Sequence, residues 1–333
     1  ERVHADLFQD PMTTPNRVLV TRRIPEPGLL RLRAAGLAID YVDRDDPPPR
    51  AELLARAAGA AGVLAMMSER IDAEFLDAAG PSLRVVANFA VGYDNIDVPA
   101  CTARGVRATN TPGVLTDATA DIAWTLILAA ARHAIVGDRM VRSGQWRGWA
   151  PTQLLGLQLA GATLGIVGAG RIGTAVARRG VGFGMRVLYY ARRDVPEIEQ
   201  AAGARRADLD TLLSESDVIS LHLPLTPQTR HLIDAPQLAR MKPTAILINT
   251  ARGPVVNEAA VVAALRARQI AAAGFDVYEN EPKLTPGLAE LDNAVLLPHL
   301  GSGTVATREK MSLMTAENII AVLAGREPPN PLN

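Results

Sequence analysis

Arg252, Glu281 and His299 are residue types that handle carboxylates and protons, and each follows an apolar run that predicts a buried strand. An arginine binds a carboxylate through two parallel hydrogen bonds, and a histidine exchanges a proton near neutral pH. A carboxylate beside the imidazole orients the ring and favours its protonated form. Such a set has the chemistry to hold a 2-oxo acid by its carboxylate and to protonate its carbonyl oxygen during reduction. We therefore predict that these three residues are catalytic.

A glycine-rich turn at residues 168–173 has the spacing of a phosphate-binding loop, between a predicted strand and a predicted helix. The first glycine permits a sharp bend, the second lets the backbone approach a pyrophosphate, and the third lets the helix pack against the strand. Free N–H groups at the helix N-terminus attract the anion. The residues predicted to bind a dinucleotide here are Gly168, Gly170, Arg171, Ile172 and Gly173.

The residues after the next predicted strand indicate which dinucleotide is bound. An NAD enzyme usually carries an acidic residue about 20 residues after the start of the motif, where it binds the ribose 2′-hydroxyl. Tyr190 stands 22 residues after Gly168, and Arg192 and Arg193 follow it. Arginines bind a 2′-phosphate through charge-assisted hydrogen bonds. These residues predict a preference for NADP(H), with NAD(H) as the alternative because Asp194 offers a carboxylate to a ribose.

Short apolar runs alternate with helical segments along the chain, which is typical of βαβ units and parallel sheets. A first series predicts strands at 17–21, 39–42, 62–66, 83–88 and 106–108. A second series predicts strands at 163–167, 186–190, 218–221, 245–249, 274–277 and 295–297. Six strands are the number that a dinucleotide-binding fold uses. One long helix is predicted over 117–141 and a C-terminal helix over 304–323.

The chain of 333 residues is longer than a single hydrophobic core usually supports, so two domains are expected. Breaks in the pattern near Pro112 and Gly301 predict that one domain is inserted in the other. The outer domain would comprise 12–112 and 300–333, and the inner, dinucleotide-binding domain 113–299. Residues 1–11, which precede Met12, are expected to be an expression-vector remnant and are left out of the fold.

Composition excludes several classes of function. Thirty-five basic residues balance thirty-five acidic ones, so net charge predicts neither nucleic acid nor an anionic membrane as a partner. No apolar run approaches the roughly 20 residues that span a bilayer. Cys101 is the only cysteine, so no internal disulfide is expected, and a reducing cytoplasm is the predicted location. No metal site is predicted. The other histidines are expected to have no catalytic role: His4, His133, His222 and His231.

From about Arg17 onward, the sequence resembles the D-isomer-specific 2-hydroxyacid dehydrogenase family. The motifs that carry the resemblance lie at 91–97, 168–173, 221–224, 249–253, 274–277, 281–282 and 298–299. The resemblance implies a Rossmann-type coenzyme domain inserted in a flavodoxin-like substrate domain, and usually a homodimer. It also implies an Arg–Glu–His triad, which maps onto the three residues predicted above. Further cofactor contacts are implied for Thr116, Leu223, Thr250, Ala251 and Asp276, the last of them holding the nicotinamide amide.

Within that family the chain is most similar to the glyoxylate/hydroxypyruvate reductases, through the segments 67–72 and 188–192. This resemblance implies that the backbone N–H groups of Val91 and Gly92 hold the substrate carboxylate beside the predicted catalytic arginine. It also implies that Met67 and Ser68 border the tail of the substrate. Trp149 matches a tryptophan that some relatives place in the active site of the partner subunit, and ordinary interface packing is the other interpretation.

The predicted reaction is the NADPH-preferring reduction of glyoxylate or hydroxypyruvate to glycolate or D-glycerate, with His299 as general acid. One alternative is a reductase for a bulkier 2-oxo acid, such as phenylpyruvate or a branched-chain acid, because the flexible Met67 can repack around a larger tail. A second alternative, from another class, is a dinucleotide-sensing corepressor that binds partner proteins. The short C-terminal stub 326–333 disfavours this interpretation, since such regulators carry long disordered tails.

Overall fold

The computed structural model describes residues 16–333, which form two compact units. The first unit runs to Leu115 and resumes from Thr304 to Asn333, and the second is Thr116–Gly303. Both boundaries lie within a few residues of the crossings predicted from the sequence. The proposed remnant at residues 1–11 and the histidine at position 4 lie outside the described residues.

Strands and helices alternate along both units. The strands are β1 (Arg17–Val20), β2 (Ala38–Tyr41), β3 (Gly62–Ala65), β4 (Val85–Asn88), β5 (Arg107–Thr109), β6 (Thr163–Val167), β7 (Arg186–Tyr190), β8 (Arg205–Arg206), β9 (Val218–Leu221), β10 (Ile246–Asn249), β11 (Ala272–Phe275) and β12 (Ala294–Leu296). The α-helices are α1 (Glu26–Ala34), α2 (Arg50–Ala57), α3 (Ala73–Ala79), α4 (Val98–Ala103), α5 (Thr116–Ala131), α6 (Ala134–Arg142), α7 (Arg171–Gly182), α8 (Pro196–Ala202), α9 (Leu209–Glu215), α10 (Ala235–Leu238), α11 (Glu258–Arg266) and α12 (Val305–Leu323). Short 3₁₀ turns occupy Gly253–Val255 and Leu288–Glu290.

The first unit is built on a five-stranded parallel sheet in the order β2-β1-β3-β4-β5. This is the flavodoxin-like order, whose ligand-binding crevice lies where the order reverses, between β1 and β3. Strands β3 and β4 are buried along their whole length, and apolar clusters cover both faces of the sheet. Burial on both faces explains why these strands appear in the sequence as continuous apolar runs.

The second unit contains a seven-stranded parallel sheet in the order β12-β11-β10-β9-β6-β7-β8. Numbered along the chain, strands β6 to β11 are six strands that lie in the Rossmann order 3-2-1-4-5-6. Strand β12 extends the sheet beside β11. The order reverses between β6 and β9, so a ligand is expected at the carboxyl ends of these two strands. The predicted α/β class with a Rossmann-type sheet is confirmed.

Strand β8 was missed by the sequence prediction, which placed six strands in this unit. It consists of Arg205 and Arg206, both exposed, and it pairs with β7 at the edge of the sheet. A two-residue strand of arginines has no apolar pattern to reveal it, and charged side chains are typical of sheet edges.

The single helix predicted over 117–141 is wrong, because the structure divides it into α5 and α6, bent by 66°. His133, between them, has a left-handed backbone with φ of 51°. The N–H of Leu157 donates to the carbonyl of Ala131 (2.9 Å), which therefore does not accept the next bond of a continuing helix. Among residues 16–333 no single helix is long and apolar enough to cross a membrane, and the bent pair meets that test by length and composition only.

Candidate active site

The glycine-rich turn lies at the carboxyl end of β6, beside the point where the strand order reverses. Gly168 has a φ of 101°, and its N–H donates to the carbonyl of Tyr190 (3.0 Å). A Cβ at this position would lie 2.6 Å from the carbonyl oxygen of His222 and 2.9 Å from Cδ2 of Leu223. Both the backbone conformation and the lack of space therefore require glycine here.

The other two glycines of the turn have opposite surroundings. A Cβ on Gly173 would lie 2.1 Å from the carbonyl oxygen of Gly168, so this position packs helix α7 against the turn. A Cβ on Gly170, the N-cap of α7, would meet no protein atom within 4 Å, and no side chain caps the helix there. Arg171 and Ile172 open the helix. Free N–H groups beside open space form a cradle that fits the pyrophosphate of a dinucleotide.

Other predicted cofactor residues lie at neighbouring strand and helix ends of the same unit. Thr116 is the first residue of α5, and Asp117 beside it accepts from Arg179 of α7 (3.1 Å). Thr250 and Ala251 directly follow β10, and both are buried. Within residues 16–333 the buried hydroxyl of Thr250 has no hydrogen-bond partner. A buried polar atom without a partner is costly, so it fits a position where a ligand supplies the missing bond.

The segment after β7 carries the residues predicted to choose the cofactor. Tyr190 is half-buried, whereas Arg192 and Arg193 are exposed and form no ion pair or side-chain hydrogen bond with any described residue. Asp194, the alternative ligand for a ribose, is bound by Arg206 at 2.8 Å between its Oδ1 and Nη1. Arg206 also donates to the carbonyl of Ala191 (3.1 Å). The sequence prediction did not anticipate this arginine, because its strand β8 was missed.

His299 and Glu281 form a hydrogen-bonded pair, with 3.0 Å between Nδ1 and Oε2. The other carboxylate oxygen accepts from the N–H of Tyr278 (2.9 Å). Burial would raise the pKa of Glu281, but the hydrogen bond and positive charge of His299, the Tyr278 N–H and the charge of Arg252 together lower it below its ordinary value. Glu281 is therefore ionised at neutral pH, and Nε2 is the ring nitrogen of His299 that is not bonded to it.

Arg252 follows β10, and its charge is one of the influences that lower the pKa of Glu281. Its Nη1 donates to the carbonyl of Ala251 (2.9 Å). Asn249 holds the turn, because its amide nitrogen donates to the carbonyl of Arg252 (3.0 Å) and its amide oxygen accepts from the N–H of Ala251 (3.0 Å). Of the three residues predicted from separate strand ends, His299 and Glu281 are hydrogen-bonded, and Arg252 acts on the Glu281 carboxylate through its charge.

Asp276 holds the turn that carries His299. Its two carboxylate oxygens accept from the N–H groups of Leu300 (2.6 Å) and Gly301 (2.7 Å). Burial raises the pKa of this carboxyl, against the lowering effects of those bonds and of the charge of His299. The sequence prediction gave Asp276 only a contact with the cofactor, and it missed these bonds.

His222 is a different kind of histidine. Its Nε2 lies 2.8 Å from the hydroxyl of Ser220, and burial lowers its pKa to about 3. The ring is therefore neutral throughout the physiological range and cannot donate a proton as an imidazolium.

The residues predicted to bind the substrate in the first unit follow β3 and β4. Met67 is half-buried, and Ser68 is exposed. The carbonyl of Val91 accepts from Asn110 (2.7 Å) and that of Gly92 from Asn88 (2.8 Å). Within residues 16–333 the backbone N–H groups of Val91 and Gly92 donate to no acceptor. Asparagine side chains thus fix the loop by its carbonyls and leave two N–H donors open to an anion.

Two further residues support the loop that contains the predicted substrate residues Met67 and Ser68. The buried carboxylate of Glu69 accepts from the N–H of Met66 (2.8 Å) and from the hydroxyl of Thr21 (2.6 Å). Burial raises the pKa of Glu69, against the lowering effects of these bonds and of Arg22.

Trp149, in the second unit, is 84% exposed and lies after α6 rather than at a strand end.

A Rossmann sheet with a pyrophosphate cradle and a histidine–carboxylate pair at its carboxyl edge defines a nicotinamide dinucleotide-dependent oxidoreductase. A family model described as "D-isomer specific 2-hydroxyacid dehydrogenase, NAD binding domain" matches residues 124–301. A glyoxylate reductase from Thermococcus onnurineus is 50% identical over 321 residues, which are 95% of this chain and 96% of that protein. The chain belongs to the D-isomer specific 2-hydroxyacid dehydrogenase family.

Solved structures agree with this assignment. The TT0316 protein from Thermus thermophilus is 50% identical with a TM-score of 0.90, and the match covers 95% of this chain and all of that one. An NADPH-dependent glyoxylate/hydroxypyruvate reductase from Sinorhizobium meliloti, solved in complex with NADP and malonate, is 35% identical with a TM-score of 0.85. That match covers 96% of this chain and 97% of the other.

Proposed function

We propose that this enzyme reduces glyoxylate and hydroxypyruvate to glycolate and D-glycerate, with a preference for NADPH. The observation that carries the proposal is the His299–Glu281 pair at the carboxyl edge of the Rossmann sheet, beside Arg252. The relatives named glyoxylate reductase support the choice of a small 2-oxo acid.

The three residues have separate tasks. Arg252 binds the substrate carboxylate through its guanidinium group. His299, protonated and oriented by Glu281, donates the proton of Nε2 to the carbonyl oxygen as the C=O double bond becomes a C–O single bond. The nicotinamide dinucleotide, when bound, supplies the hydride that forms the new C–H bond. Loss of the proton leaves a neutral imidazole, which solvent reprotonates before the next turnover.

The first unit is proposed to provide the remaining substrate contacts. The open N–H groups of Val91 and Gly92 are suitable donors for a carboxylate, because backbone donors fixed by side chains need no reorganisation. Met67 and Ser68 are proposed to border the tail. A half-buried methionine with an exposed serine suits the small substituent on the carbonyl carbon, which is hydrogen in glyoxylate and hydroxymethyl in hydroxypyruvate. A bulkier substituent would require Met67 to repack.

The preference for NADPH rests on the charges that follow β7. Arg192 and Arg193 are exposed cations without described partners, and the one carboxylate of this segment, Asp194, is neutralised by Arg206. Three arginines thus accompany a single aspartate where NAD enzymes carry an acidic ribose ligand. This balance favours the doubly charged 2′-phosphate over a 2′-hydroxyl.

We test the proposal by measuring initial rates of NADPH and of NADH oxidation with glyoxylate, hydroxypyruvate, pyruvate and phenylpyruvate. Fast oxidation of NADPH with the first two acids is the expected result. Faster turnover of phenylpyruvate would favour the bulky-acid alternative. A preference for NADH would contradict the role of Arg192 and Arg193 and leave the catalytic residues unaffected. Tight dinucleotide binding without turnover of any acid would contradict the proposed reaction itself.

A further inference from the structure

His231 and Glu279 form a second histidine–carboxylate pair, outside the residues assigned above. The distance between Nε2 of His231 and Oε1 of Glu279 is 2.6 Å. The two side chains are 35% and 21% exposed, so the pair is mostly shielded from water. Glu279 lies two residues before Glu281, so the position of this pair relative to the proposed catalytic residues indicates its role.

Glu279 is fixed on its other side to the start of helix α11. Its second carboxylate oxygen accepts from the N–H of Glu258 (3.3 Å), and its own N–H donates to a carboxylate oxygen of Glu258 (2.5 Å). The buried carboxylate of Glu258 also accepts from the hydroxyl of Thr285 (2.6 Å). These bonds form a network around one short loop, residues 278–285, which lies between β11 and the 3₁₀ turn Leu288–Glu290.

That loop contains Glu281, the partner of the proposed general acid. Glu281 lies two residues after Glu279, and it accepts from the N–H of Tyr278, the residue just before Glu279. One carboxylate oxygen of Glu281 is therefore held by Tyr278, whose carbonyl forms the next peptide with Glu279.

The peptide between Tyr278 and Glu279 packs against the residue that follows Arg252. A Cβ on Gly253 would lie 1.9 Å from the carbonyl carbon and oxygen of Tyr278 and 2.4 Å from the nitrogen of Glu279. His231 is linked to the same turn through its main chain, because its backbone N–H donates to the carbonyl of Pro254 (2.8 Å). One histidine thus contacts both the turn after Arg252 and the loop before Glu281.

We propose that His231 is a positioning residue that acts through Glu279 to hold Glu281 against His299. The ring nitrogen Nε2 of His231 is the atom that Glu279 binds. The inference rests on the proposed function, in which the Glu281–His299 pair protonates the carbonyl oxygen. Without the His231 side chain, the loop 278–285 would keep its contacts with helix α11 but lose its hydrogen bond to the segment that contains His231.

The test compares His231→Ala, which removes the bond, with His231→Gln, whose amide nitrogen restores a donor near Nε2. Since a displacement of about 1 Å at a catalytic group can cost up to ~10² in rate, we expect His231→Ala to lower kcat about tenfold. The KM for NADPH should stay within about twofold, because the cofactor residues are not in this network, and His231→Gln should recover most of the loss. Arg230→Ala, an exposed neighbour, serves as the control.

A double-mutant cycle separates positioning from a general loss of structure. If His231 acts through Glu281, then His231→Ala should cause little further loss of kcat in a Glu281→Gln background. Fully additive losses, or an unchanged kcat in His231→Ala, would overturn the inference. Where the alanine variant does not fold, His231→Asn, which is too short to reach Glu279, takes its place with the same expected outcomes. Failure of the proposed function would be seen separately, as absence of 2-oxo acid reduction by the unmodified enzyme.

Discussion

His299 occupies a backbone conformation that few residue types tolerate. Its φ of 56° lies in the left-handed region, where asparagine, aspartate and histidine are enriched among residues other than glycine. The bonds from Leu300 and Gly301 to Asp276 hold the turn in this conformation. Backbone strain of this kind persists only where the surroundings fix it, and it is common at active sites. Asp276 therefore fixes the backbone turn from which the imidazole of His299 extends.

Replacing His299 with alanine should lower kcat by about 10²–10⁴, the usual contribution of a general acid. Dinucleotide affinity should stay close to that of the unmodified enzyme, because the cradle at Gly168 to Gly173 is untouched. Steady-state kinetics and NADPH fluorescence titration measure the two quantities. His133→Ala is the matched control, because it also replaces a histidine with a left-handed backbone, at the bend between α5 and α6. Near-normal turnover of the His299 variant would remove this residue from the mechanism.

The three residues that we propose as catalytic could be singled out from the sequence because one rule applies to all of them. Ligands of parallel α/β sheets bind at the carboxyl ends of strands, and Arg252, Glu281 and His299 each follow a strand that its apolar run reveals. His231 and Asp276 were not predictable in their positioning roles. His231 pairs with a residue 48 positions away, and Asp276 bonds to backbone 24 and 25 positions away. Sequence spacing carries no signal for such contacts.

Helix α7 and its turn provide a test at the scale of one element. In Gly170→Ala the added methyl group meets no protein atom and lies in the open space beside the helix N-terminus. The variant should fold normally but bind NADPH about tenfold or more weakly, because overpacking a well-fitted contact typically costs ~1–3 kcal/mol. Gly182→Ala, in the last turn of the same helix and also free of neighbours within 4 Å, should bind normally. Equal affinity of both variants would contradict a pyrophosphate at Gly170.

The prediction of elements from the sequence succeeded where burial leaves a pattern. Strands β6, β7 and β9 have the predicted bounds, because each is a buried apolar run between polar turns. Strand β11 begins and ends two residues earlier than predicted, because pairing with β10 starts at Ala272 and stops at Phe275. The bend after α5 depends on a hydrogen bond from Leu157, which is distant in sequence, so no local pattern indicates it.

At the scale of the whole molecule, the segment that begins with α6 leaves large apolar side chains uncovered by the described residues. Helix α6 has no buried residue. Large apolar side chains stay exposed along and after it, among them Val141 (58%), Trp149 (84%) and Leu155 (70%). Exposed apolar patches of this kind mark interaction surfaces, and a second copy of the chain would bury the same surface on both partners. We therefore propose that the enzyme is a homodimer, as the family resemblance implies.

Sedimentation equilibrium should give a mass near twice 35.4 kDa for the enzyme and 35.4 kDa for the double variant Val141→Asp, Leu155→Asp. Each buried apolar side chain contributes about 1.5–3 kcal/mol, so two charges at this surface should dissociate the dimer. Val305→Asp, at a 77% exposed valine of the first unit, should stay dimeric. A monomeric unmodified enzyme or a dimeric double variant would contradict the proposal. If Trp149→Ala stays dimeric but loses kcat/KM, Trp149 contacts the partner's active site, whereas weaker dimerisation alone indicates interface packing.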